Sequence, residues 1–188
     1  MRTGPALDAA AVIAADANGT GPDPAALRHV FGQYPTGVAV VAVHGAAGNP
    51  VAMTINSFTT LSLRPPLVAW SIGEHAVDLP RFRDAPYFGI SVLSSTQEAV
   101  ARHFADPRRR RTPTGTDVLD MAGTAPRVRD AVGWLLCTVE RSVPVGDHLL
   151  ILGQVVCVEA APGAALAYHR SRYTPIDGRA DLEASPWT

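Results

Sequence analysis

The stretch Thr54-Ile55-Asn56-Ser57-Phe58-Thr59-Thr60-Leu61-Ser62-Leu63 alternates hydroxyl or amide side chains with apolar ones. On a strand this puts a row of hydrogen-bonding groups on one face, and the row needs partners, either water or a ligand with matching polar edges. Other chemistries are poorly supported. The six histidines, at 29, 44, 75, 103, 148 and 169, form no i, i+4 pair and no HExxH, so no metal site is expected. GxGxxG is absent, and Gly32 to Gly37 is followed by Val38-Ala39 where a phosphate loop needs Lys and Ser or Thr. There is no GxSxG elbow, and the five glutamates are scattered, which leaves no paired carboxylates. All 16 basic residues are arginine, so no lysine Schiff base, phosphate-loop lysine or lysine general base exists in the chain. The run Arg108 to Arg111 lacks interleaved aromatics and reads as a solvated loop, with a diphosphate contact as the alternative. Cys137 and Cys157 lie in apolar runs without CxxC spacing and read as buried, reduced thiols.

The chain that must position these residues has 188 of them, 47% hydrophobic and 18% charged, a globular balance for one domain. A net charge of -1 gives no field toward nucleic acid or an anionic membrane. No apolar run reaches the ~18 residues of a membrane helix, and a cytoplasmic protein is expected. Residues 1–22 read as a flexible arm, 23–175 as the folded domain and 176–188 as a tail. Asp23-Pro24 supplies an N-cap and a first-turn proline, and Leu27, Val30, Phe31 and Tyr34 follow at i, i+3, i+4, i+7, which predicts a helix from Pro24 to Tyr34. Strands are expected over Val38–Val43, Val51–Thr54 and on through the polar row, then Leu67–Ile72, Tyr87–Leu93, Trp134–Val143 and His148–Glu159. Val77–Arg83 reads as a short helical connection, and Ser94 with Gln97 as the capping box of a helix carrying Val100 and Phe104. Six or seven strands without βαβ regularity indicate a mainly β, antiparallel barrel with peripheral helices.

Several stretches together resemble the short flavin reductases that serve two-component flavin monooxygenases. They are Tyr34-Pro-Thr-Gly-Val-Ala-Val-Val, Met53 through Leu63, Pro65-Pro-Leu-Val, Phe88-Gly-Ile-Ser-Val-Leu-Ser, Gln97 through Phe104-Ala105, Gly146-Asp147-His148, and Tyr168-His-Arg-Ser-Arg-Tyr173. Their order and spacing run from about residue 25 to 173. The resemblance implies an FMN-binding type of split β-barrel, a homodimer, FAD or FMN as the flavin, and NADH before NADPH as the reductant. It also implies a partner monooxygenase fed by diffusing reduced flavin.

On that resemblance, Thr36, Thr54, Ile55, Asn56, Ser57, Ser71 and Ile72 are expected against the flavin, with Ser94 and Phe104 beside them. His148 is expected to hold the nicotinamide, with His169, Arg170 and Tyr173 toward the rest of that dinucleotide. No acid, base or nucleophile is assigned, because hydride transfer between stacked rings ~3–3.5 Å apart is a matter of positioning. Where the family usually carries a serine and a basic residue for the flavin phosphate, this chain reads Gly73-Glu74-His75-Ala76-Val77. His75, the amides opening the next helix or a loop arginine are the possible substitutes. Two other readings stay open: a barrel that keeps its flavin and oxidises its own substrate, and a non-catalytic flavin or haem binder.

Overall fold

The computed structural model describes residues 21–45, 48–108 and 118–176. Helix α1 spans Pro24–Phe31, α2 Leu79–Asp84 and α3 Glu98–Ala105. The strands are β1 Thr36–Gly37, β2 Ala39–His44, β3 Pro50–Ile55, β4 Thr59–Leu63, β5 Pro66–Gly73, β6 Tyr87–Val92, β7 Leu119–Asp120, β8 Arg127–Val128, β9 Gly133–Val145, β10 His148–Ala160, β11 Leu166–His169 and β12 Arg172–Pro175. Seven of them make one antiparallel sheet in the order β3-β2-β6-β9-β10-β5-β4, which is the expected strand number. Laid flat, seven strands would set the outer two about 29 Å apart. Only Asn56, Ser57 and Phe58 join β3 to β4, a connection that reaches about 14 Å at most. The sheet therefore curls until its first and last strands are neighbours, giving a barrel with a seam at residues 56–58.

Inside the barrel Trp70 is fully buried, with the rings of Phe82 and Phe88 meeting it edge-on at 5.3 and 5.9 Å. Phe88 fits only because residue 153 has no side chain: a Cβ at Gly153 would fall 2.3 Å from the ring. A second core lies on the other face of β2, where Val38, Val40 and Ala42 meet Ala101 and Phe104 of α3. Burial on both faces explains why 38–43 is a continuous apolar run rather than an alternating one. Beside this second core, β1, β11 and β12 form a three-stranded sheet, with Thr36 opposite Tyr168 and Tyr168 opposite Tyr173.

Four expectations need correction. The polar row is not one strand: it breaks at Asn56, and Thr59 and Thr60 lie exposed on the edge strand β4. Helix α1 is capped by Asp23 through Ala25 N and Ala26 N as predicted, but it ends at Phe31 and buries no residue, with Phe31 67% exposed. Among the described residues its apolar face finds no partner. Cys137 is buried but Cys157 is exposed, because β5 covers β10 only to Gln154 and a bulge follows between Val155 and Cys157. At α3 only half of the capping box forms: Gln97 Oε1 accepts from Ser94 N at 2.9 Å, while Ser94 Oγ meets Thr96 Oγ1. The expected arm and tail, apart from residues 21, 22 and 176, lie outside the described residues, as do Arg109 to Arg111.

Candidate functional site at the barrel seam

The site grows from the register of β4 and β5. Thr59 pairs with Ala69 and Thr60 with Val68, so continuing the ladder would set Ser57 opposite Ser71. No ladder forms there. Instead the Ser57 hydroxyl takes the place of a main-chain partner, accepting from Ser71 N at 3.1 Å and donating to Ser71 O at 3.3 Å. One side chain thus satisfies both groups of Ser71, and the backbone of 56–58 is released from the sheet. Among the described residues, no turn or loop hydrogen bond engages the main chain of Asn56, Ser57 or Phe58. Unpaired amides and carbonyls beside a cavity are what a ligand's polar edge requires.

The cavity is there, with a volume of about 200 Å3, lined by Val38, Thr54, Ile55, Asn56, Ala105, Tyr168 and Tyr173. Its floor is apolar and aromatic, and Asn56 is exposed at its mouth. Tyr168 and Tyr173 pack at 5.2 Å, and the Arg102 guanidinium lies 5.0 Å from the Tyr173 ring centre while paired with Glu98. Burial, with a smaller contribution from Tyr168, pushes the Tyr173 phenol up, so it is a neutral donor at pH 7. Thr54 is already committed: its hydroxyl donates to Ala101 O at 2.7 Å and ties β3 to α3, which leaves only its lone pairs for a ligand. Thr36 Oγ1 is a buried hydroxyl without a hydrogen-bond partner among the described residues, and Thr36 is not among the residues lining the cavity.

Other expected residues fall elsewhere. The side chain of Ile72 is in the barrel core and that of Phe104 in the second core, so neither faces the cavity and Ala105 lines it instead. Ser94 sits at the head of α3 and is not among the lining residues. His148 opens β10 opposite Gly73, two residues beyond Ser71 and so about 7 Å along β5 from the Ser57 latch. Its Nδ1 lies 2.6 Å from Asp147 Oδ1, and this hydrogen bond, then the charge of His148, holds the Asp147 carboxyl below the usual carboxylate range. Glu74 N donates to Asp147 O at 2.9 Å, so the Gly73–His75 turn packs on the same end of the barrel. His75 itself is 93% exposed beside Glu74. Tyr168, Val38 and Ala105 were not singled out from the sequence; Tyr168 was legible as the residue opposite Tyr173 across a four-residue turn.

The model of the flavin reductase like domain matches residues 31–177. The chain belongs to the flavin reductase like family. An NADH-dependent FAD reductase of Streptomyces globisporus is 44% identical over 143 residues, covering 72% of this chain and 76% of that one. The reductase subunit of stachydrine N-demethylase of Rhizobium meliloti is 34% identical over 151 residues, covering 80% of this chain but 65% of that one. Among solved structures, the NADH:FAD oxidoreductase of Streptomyces globisporus in complex with NAD and FAD fragments superposes with a TM-score of 0.75 at 38% identity, covering 85% and 96% of the two chains. The flavin reductase component of a bacterial two-component tryptophan halogenase gives 0.76 at 34% identity, covering 84% and 100%.

A flavin suits the seam. Free main-chain groups at 56–58 meet a polar ring edge, and Val38, Ile55 and the two tyrosines meet an apolar ring. At about 200 Å3 the cavity takes one end of such a ligand and leaves the rest on the open surface.

Proposed function

We propose that this chain is an NADH-dependent flavin reductase that binds FAD or FMN at the seam, reduces it, and releases it to a partner flavin-dependent monooxygenase. The observation that carries the site is the Ser57–Ser71 latch, which frees the backbone of 56–58 beside an aromatic-lined cavity. Asn56 and the free main chain of 56–58 hold the polar edge of the ring, and the Ser71 hydroxyl continues that edge. The flavin, when bound, supplies the acceptor for the hydride of the nicotinamide. His148, with its ring held by Asp147, presents Nε2 to the nicotinamide carboxamide. His169 and Tyr173 flank the path from there along β11 and β12. No side chain has to move a proton in the hydride step, so the residues' task is positioning.

The open cavity also favours a flavin that leaves over one kept as a prosthetic group. After exhaustive dialysis the protein is expected to be colourless, to bind added FAD or FMN reversibly, and to oxidise NADH only when flavin is supplied. Retention of one flavin per chain through dialysis would favour the second reading, a flavoprotein acting on its own substrate. The functional unit is a homodimer in this proposal. The unpartnered apolar face of α1, with Val30 61% and Phe31 67% exposed, and Leu63 of β4 at 85% give a second copy surface to cover. Sedimentation of a monomer at micromolar concentration would contradict it.

A further inference from the structure

Arginine is the only strong cation in this chain, and four of the described arginines are neutralised by carboxylates. Arg81 pairs with Asp78, Arg83 with Asp84, Arg102 with Glu98, and Arg127 with both Asp120 and Glu159. Arg28 and Arg170 differ: among the described residues neither has a carboxylate partner. They meet at a pocket of about 360 Å3 between the last turn of α1 and the β11–β12 turn, lined by Arg28, His29, Gly32, Gln33, Arg170 and Ser171. No carboxylate is among these residues.

The pocket is built rather than incidental. Arg170 N donates to Gly32 O at 3.0 Å, and its Nε donates to Gln33 Oε1 at 2.8 Å. Gln33 is fixed in turn, with Nε2 donating to His29 O at 3.2 Å. A neutral amide therefore orients the guanidinium without cancelling its charge, and leaves the terminal N–H groups available as a fork for oxyanions. Arg170 and Ser171 hold this turn at φ of 48° and 62°, a left-handed conformation that residues other than glycine seldom adopt. The C-terminal end of the α1 dipole works against an anion here. Its last carbonyls are occupied, however: Arg28 O by Gly32 N, Val30 O by Gln33 N and Phe31 O by Tyr34 N. The two arginines supply the attraction.

Position narrows the ligand. Arg170 is two residues beyond Tyr168, which lines the seam cavity, so about 7 Å of β11 separates the two openings. A molecule that spans both carries an aromatic ring at one end and phosphate at the other. We propose that this pocket binds the diphosphate of an adenine dinucleotide through Arg28 and Arg170, with Gln33 as a positioning residue. The choice of dinucleotide, NADH or FAD, rests on the reductase reading; the diphosphate site itself does not.

The test uses the full chain and ADP as probe. Arg28→Gln and Arg170→Gln are each expected to weaken ADP binding by about 12- to 160-fold, the range of one charge-assisted hydrogen bond, and added salt should weaken the wild type. Arg170→Lys should recover part of the loss, which a purely structural role in the turn would not allow. Arg83→Gln, paired on α2, should bind ADP like the wild type. The source follows from two further arms. A raised KM for NADH with FMN as acceptor assigns the pocket to NADH, whereas a raised Kd for FAD with that for FMN unchanged assigns it to FAD. ADP affinity untouched in both glutamine variants would overturn the site, and a change in ADP binding alone, with NADH and FAD unaffected, would overturn its assignment to a dinucleotide. A chain that binds ADP through these arginines yet reduces no flavin would refute the reductase reading and leave the diphosphate site standing.

Discussion

Asn56 and His148 divide the work of the seam at the level of single residues, and their variants should divide the kinetics. Asn56→Ala is expected to raise the flavin Kd by about 2- to 12-fold, the equivalent of one hydrogen bond at ~0.5–1.5 kcal/mol, with the fold intact. His148→Ala should instead raise the KM for NADH, lower turnover or do both, with flavin affinity little changed. The reverse pattern would move His148 into the flavin site and invert the proposed orientation. The two thiols separate as cleanly. Burial pushes Cys137 up to about 12 from an ordinary 9.0, so in the folded chain it stays a neutral, unreactive thiol. The unfolded chain loses that proton first, so this contribution to stability is intact below pH 9.0 and declines as pH rises toward 12. A thiol reagent at pH 8 should modify Cys157 alone in the native protein and both cysteines after denaturation; rapid native labelling of Cys137 would contradict its burial.

Among the elements, the junction of β3 and β4 was the hardest to read from sequence and matters most for function. Alternation of polar and apolar residues from Thr54 to Ser62 is compatible with an unbroken strand, and nothing local in Asn56-Ser57-Phe58 announces a break. The break comes from a tertiary bond, Ser57 with Ser71, fourteen residues away. Elsewhere local signals sufficed. Asp23-Pro24 started α1 where expected, and the long apolar runs of β9 and β10 were visible because each is paired along most of its length. The i, i+3, i+4, i+7 pattern carries on to Tyr34, whereas α1 ends at Phe31, because among the described residues its apolar face has nothing to pack on. Ser57→Ala removes both bonds to Ser71 and leaves a donor and an acceptor unsatisfied, at about 1–3 kcal/mol. The expected result is a lower midpoint in chemical denaturation and weaker flavin binding, with Ser57→Thr restoring most of each. Weaker flavin binding with no loss of stability would mean that Ser57 meets the ligand directly rather than through the backbone it frees.

On the scale of the whole molecule, topology explains why the ligand site lies where it does. A seven-stranded sheet whose outer strands are three residues apart in sequence must curl, and the point at which it fails to close is where main-chain groups are left unpaired. The expected site residues with alternating polarity, Thr54, Asn56, Ser57 and Ser71, collect at that seam, whereas Ile72 and Phe104 project their side chains into the two cores. Strand number and antiparallel class were legible in the spacing of apolar runs. The seam was not, since it depends on which strands are outermost, and that is a property of pairing order alone. The most direct test of the central claim is anaerobic mixing of NADH with free FAD or FMN, with and without the protein, while the oxidised-flavin absorbance is followed. Bleaching that accelerates in proportion to the protein added, and is slowed in His148→Ala, is the predicted result. Bleaching no faster with the protein than without it would contradict hydride transfer at this seam.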